Sequence, residues 1–237
     1  MSTIFSVGLS RTAVLLVIAT LSVATAFASM AMPASATDEL VSNGSFELGN
    51  YGGGNWEYLP NGYTNITDWT IGGHSVDRVG QYWYASDGVL SVDLNGSGAG
   101  TLSQDLATSP GAIYTASFDL SGNRACGATL KTLDVSAGAT TEAFSWNATV
   151  SPAVPAMDWV SESFPFTAIS GTTTLMFATT IGGACGPVID NVSVTQILPA
   201  DKADCKKDGW ESYGVFKNQG DCVSYLSTGG KNLPSGS

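Results

Sequence analysis

Basic residues are scarce in this chain, histidine is almost missing, and cysteine is confined to four positions. Lysine and arginine together number nine against twenty acidic residues in 237, a net charge of −11. So little positive charge cannot neutralise phosphates, which excludes a nucleic-acid partner, and it gives no attraction to anionic membranes. His74 is the single histidine. Any Ser-His-Asp triad would have to pass through His74. That residue lies in the turn Gly72-Gly73-His74-Ser75, where a solvated ring is expected. No serine stands in a nucleophile elbow. Paired carboxylates for glycoside hydrolysis can be drawn in any acidic chain, so they point to nothing on their own.

Long apolar runs are missing too, with one exception at the start. Arg11 precedes a charge-free, mostly apolar stretch at 13–28, and Ala34-Ser35-Ala36 follows with the small residues that a signal peptidase reads. Residues 1–36 are therefore expected to be a signal peptide, with a secreted chain beginning near Thr37. Without Arg11 the chain keeps eight basic and twenty acidic residues, a net charge of −12. Four cysteines in an exported chain read as two disulfides, and their spacings make no zinc-site pattern. Three pairings are possible. The expected one is local, Cys126 with Cys185 and Cys205 with Cys222, because Cys126 and Cys185 sit in matching glycine-rich loops.

What the chain does have is β pattern. Residues 112–120 alternate, with Tyr114, Ala116, Phe118 and Leu120 on one side, and 173–179 and 188–194 repeat the pattern. Shorter strands are predicted at 66–71, 75–79, 89–94, 101–106, 129–136, 142–149 and 159–166. Turn signals such as Asn95-Gly96 and Ser170-Gly171 separate them. About ten short strands without a convincing helix imply an all-β antiparallel sandwich, most plausibly a jelly roll, over 38–197. Pro199 marks a break. Residues 200–237 are expected to form a small cysteine-bracketed segment with one short helix and a Gly/Ser/Pro-rich tail.

Two further stretches read as strands that each carry an acidic residue: Asn43-Gly44-Ser45-Phe46-Glu47 and Pro187-Val188-Ile189-Asp190-Asn191-Val192-Ser193-Val194. An acidic group in an apolar strand is costly unless paired or bound to a cation. If these strands lie side by side, Glu47 and Asp190 meet, and Ca²⁺ would satisfy both, with Asn43, Asp93 or backbone carbonyls completing the shell. The simpler reading is that Glu47 is solvated and Asp190 caps a turn.

Those two motifs form an ordered set with Asp68-Trp69-Thr70, Ser75-Val76-Asp77, the block Asp87-Gly88-Val89-Leu90-Ser91-Val92-Asp93-Leu94-Asn95-Gly96, and Ser117-Phe118-Asp119-Leu120-Ser121-Gly122-Asn123. The set resembles the DUF642 / choice-of-anchor C family over roughly 38–197. The resemblance implies a galactose-binding-like jelly roll in secreted bacterial and plant cell-wall proteins, associated in plants with wall polysaccharides and pectin-modifying enzymes. In related jelly-roll carbohydrate-binding modules a glutamate after an Asn-Gly-x-Phe start and an aspartate in the last strand hold a structural Ca²⁺. Glu47 and Asp190 match that pattern.

Aromatic residues crowd one region: Tyr51, Trp56, Tyr58, Tyr63, Trp69, Tyr82, Trp83 and Tyr84. Sugars present C–H faces that stack on rings and hydroxyls that need donors and acceptors. Trp56, Tyr58, Tyr82 and Trp83, with Asp77 and Arg78 as polar contacts, are the expected ligand-binding residues. Trp69, flanked by Ile66 and Ile71, is expected in the core, and Asn123 and Arg124 offer a second location. The reading is a secreted, non-catalytic module that recognises extracellular or cell-wall polysaccharide. The alternative is a structural or protein-interaction module of the same fold without a sugar site, and a glycoside-active enzyme comes third.

Overall fold

The computed structural model describes residues 38–126, 130–148 and 154–236, all within one compact unit. The expected signal peptide lies outside the described residues. Eleven strands among these residues build two antiparallel sheets of a jelly-roll sandwich. The larger sheet has six strands in the order β1 (Trp56–Pro60), β3 (Ser75–Val79), β4 (Ser91–Asp93), β11 (Pro187–Gln196), β6 (Ile113–Gly122) and β9 (Val160–Thr167). The smaller has five: β2 (Thr70–Gly73), β5 (Gly100–Ala107), β10 (Thr172–Thr179), β7 (Leu130–Ala137) and β8 (Thr140–Asn147).

Alternation decides what each strand buries. Tyr114, Ala116, Phe118 and Leu120 of β6 point inward, as do Thr173, Leu175 and Phe177 of β10. Phe118 lies edge-on to Phe144 and to Phe177, each 5.1 Å between ring centroids. Trp69 is in this core as expected, with its indole N–H donating to the Asn43 carbonyl at 2.9 Å.

The segment 43–47 differs from expectation. It is a turn, not a strand: Asn43 and Phe46 have φ of 55° and 60°, outside the range of a pleated strand. Asn43 ties the turn down, its Oδ1 accepting the Leu48 N–H and its Nδ2 donating to the Thr67 carbonyl. Phe46 is thereby swung fully into the core.

Both disulfides are those expected, Cys126–Cys185 and Cys205–Cys222, with no free cysteine among the described residues. They span 59 and 17 residues, for which the chain-entropy account gives about 4 and 3 kcal/mol. The second lies in the C-terminal segment, which joins the sandwich core through Cys205, Val215, Phe216, Cys222 and Tyr225. Its short helix α1 (Gln219–Ser227) starts at Asn218, whose side chain accepts the Asp221 N–H at 3.0 Å. The tail folds back, with the Gly236 N–H donating to the Val215 carbonyl.

Candidate functional site

Side chains two apart on a strand share a face, and cross-strand partners share it as well. Trp56 pairs with Val79 and Tyr58 with Asp77 between β1 and β3; Asp77 pairs with Asp93 and Val79 with Ser91 between β3 and β4. Val188 then pairs with Asp93 between β4 and β11. All of these lie on the outer face of the six-stranded sheet, away from the main core. There Val79, Val188 and Trp83 form a second, small apolar cluster, with Tyr82, Met157 and Trp159 packed against it.

Beside this cluster is a cleft of about 300 Å³, lined by Trp56, Asp77, Tyr82, Trp83, Asn123 and Cys185 among others. Trp56 is 53% exposed and stands edge-on to the half-buried Tyr82, 5.8 Å between centroids; Tyr82 and Trp83 are 5.4 Å apart. Trp83 itself is only 3% exposed, held by its indole N–H donating to Ser91 Oγ at 2.9 Å. It backs the cleft, and of the run 82–84 it is Tyr84 that is turned outward, 68% exposed. Tyr58 is on the same face but outside the lining, its hydroxyl accepting from Ser97 Oγ at 3.1 Å.

Opposite the aromatic rim, the loops after β6 and before β11 form the second wall, and the Cys126–Cys185 disulfide joins them. Asn123 is fixed within this wall. Its Nδ2 donates to Asp93 Oδ2 at 2.8 Å and its Oδ1 accepts the Ala125 N–H at 2.9 Å. Asp93 is fully buried, and its Oδ1 accepts the N–H groups of Asn95 and Gly186. Burial raises its pKa to about 6 despite these hydrogen bonds and the nearby Lys131 ammonium. Asp77 is raised to about 7, first by burial and then by Asp93. Lys131, also buried, donates to the Cys185 carbonyl at 2.5 Å.

Arg78 is not in the cleft, because its neighbour Asp77 is: successive residues of a strand face opposite ways. It is fully buried on the inner side, donating to the carbonyls of Phe46, Leu48 and Asn65 and lying 5.5 Å from the Tyr51 ring.

Glu47 and Asp190 converge on one loop. Glu47 Oε1 accepts the N–H groups of Val89 and Leu90, both at 2.7 Å, and Asp190 Oδ2 accepts those of Ser86 and Asp87 at 2.8 and 3.0 Å. Asp190 Oδ1 accepts the Asn191 N–H, and burial raises the carboxyl to about 7 despite its hydrogen bonds. Gly88 is obligatory between them: its φ is 73°, and a Cβ would stand 2.4 Å from Glu47 Oε1. Asp93, expected as a further ligand here, is instead bonded to Asn95, Gly186 and Asn123. Among the described residues no group of three or more His, Cys, Asp and Glu is placed to hold a metal ion.

DUF642, described as a protein of unknown function, matches residues 39–195. The chain belongs to this family. The DUF642 region carries every cleft and loop contact just described. Among curated proteins the chain is similar to halomucin of Haloquadratum walsbyi (strain DSM 16790 / HBSQ001), 35% identical over 163 residues. That match takes in 66% of this chain and spans 2% of halomucin's length. Among solved structures it is similar to the CBM22-1 xylan-binding domain from Paenibacillus barcinonensis, 16% identical with a TM-score of 0.44, covering 69% of this chain and 97% of that one. A family 35 carbohydrate binding module from Clostridium thermocellum gives 13% identity and a TM-score of 0.40, covering 60% and 98%.

Proposed function

We propose that this protein is a secreted, non-catalytic module that binds extracellular or cell-wall polysaccharide in the cleft on its six-stranded sheet. The observation that carries the reading is the combination of an exposed Trp56 and half-buried Tyr82 with the Asp77 carboxyl and the hydrogen-bonded Asn123 amide in one cleft. Rings take up the C–H face of a sugar while a few fixed polar groups orient its hydroxyls. Two disulfides support an oxidising, extracellular setting. Among the described residues no helix is long and apolar enough to cross a membrane.

The test is retention on a panel of immobilised polysaccharides, with release of reducing ends followed in parallel. Selective retention without release supports the module reading. Retention of none by the folded protein would favour a structural or interaction role, and released reducing ends would make it an enzyme.

A structural Ca²⁺ at Glu47 and Asp190 belongs to the same proposal. The fit is supported by two carboxylates gripping one loop from opposite ends, with no hydrogen bond on Glu47 Oε2 among the described residues. Carbonyls of the 86–90 loop would have to supply further oxygens. The ion would pin the loop and offset the burial of Asp190.

A further inference from the structure

Asp77 and Asp93 stand directly opposite each other on β3 and β4. Like charges at directly opposed positions destabilise a sheet, so the pair needs compensation. Asp93 has it: three hydrogen bonds, from Asn95, Gly186 and Asn123, and the buried Lys131 ammonium close enough to favour its charged form. Asp77 has none. Among the described residues no hydrogen bond engages its carboxyl group, and Oδ1 is sealed from solvent without a partner. Gly96 packs so closely that a Cβ there would lie 2.9 Å from Oδ1.

With Oδ1 closed off behind Gly96, the rest of the Asp77 side chain lines the same cleft as Trp56 and Tyr82, and among the described residues the lining includes no lysine or arginine. A carboxylate beside aromatic rings is a setting for an ammonium group, since the ring faces attract a cation and the carboxylate supplies the opposing charge. A polyuronate would bring its own carboxylates against Asp77, an uncharged sugar would leave Asp77 holding its proton, and an ammonium would favour the charged carboxylate by taking up its charge.

We infer that the cleft takes a glycan bearing a protonated amino group, an amino sugar of the glucosamine class, with the ammonium between Asp77 and the Trp56 and Tyr82 rings. The inference rests on the glycan-binding reading and narrows it to one substrate class. The net charge of −12 outside the signal segment draws such a polymer in at low salt.

Calorimetric titration of the disulfide-intact protein with chitosan oligosaccharides, their fully N-acetylated counterparts, neutral galactan and polygalacturonate decides it. The chitosan forms should bind about tenfold more tightly than the acetylated ones, the scale of one charge-assisted contact. Asp77→Asn should bind the two forms alike, with a melting temperature at neutral pH no lower than that of the unaltered protein. Should that variant fail to fold, salt is the second readout: at about 1 M, where screening acts within about 3 Å, the preference of the unaltered protein should shrink. Equal or tighter binding of the acetylated, neutral or anionic polymer, or a preference indifferent to salt, overturns the inference while leaving glycan binding in place. Binding of no polymer overturns both.

Discussion

Asp77 and Trp56 occupy neighbouring strands of one sheet face and line the same cleft, one with a carboxyl group and the other with an aromatic ring. Trp56→Ala should weaken retention on a bound polysaccharide by about tenfold, the loss of one aromatic anchor, and leave the melting temperature unchanged because the ring is half exposed. Arg78 gives the opposite result. Its removal strips the Phe46, Leu48 and Asn65 carbonyls of their donor in a closed interior, so Arg78→Leu should cost roughly 3 kcal/mol in a denaturant titration. The raised carboxyls set the pH response. Asp77 and Asp93 hold protons to about 7 and about 6 in the folded chain, against about 4 when unfolded. Between those values the folded state binds more protons, so stability should fall as pH rises from about 4 to about 7. Thermal melts in that window check the sign, and a melting temperature that climbs with pH would count against it.

Among the elements, the 86–90 loop is held by the carboxylates of Glu47, Asp190 and Asp119. Gly88→Ala would drive a Cβ into Glu47 at a φ that side chains resist, so it should lower the melting temperature and abolish any further drop on adding chelator. The wall of the cleft depends on the Cys126–Cys185 bridge in a similar way. Replacing both cysteines by serine should reduce glycan retention while the far-ultraviolet spectrum of the sandwich persists. Much of this was legible beforehand. The strand at 75–79 has its predicted bounds, and 113–122, 172–179 and 187–196 lie within two residues of their predicted ends. Edge strand β1 left no such mark, because glycines precede it and Pro60 closes it. The positive φ values at Asn43 and Phe46 are invisible to a periodicity count, so 43–47 read as a strand. Asp77 and Arg78 could have been separated from sequence alone: on a single strand they cannot both face one cleft. Trp83 could not, since its burial comes from Val79, Val188 and Ser91, which are brought to it by other strands.

At the scale of the whole molecule, the C-terminal segment is continuous with the core. Phe216 and Tyr225 pack in one buried cluster with Tyr114 and Leu106. Ending the chain at residue 199 should therefore lower the melting temperature by about 10 °C or more, the equivalent of about 3 kcal/mol in a domain of this size.

The order in which the strands are made adds one consequence. β11 is the last strand in the sequence, yet it lies between β4 and β6 in the six-stranded sheet. Its Asp190 also grips the 86–87 backbone, 104 and 103 residues upstream. Until residues 187–196 have left the ribosome the larger sheet is two unjoined pieces, and such long-range pairing closes slowly. Until then β4 and β6 each present an unpaired edge, so the larger sheet closes in a single late step that depends on the last strand of the sequence.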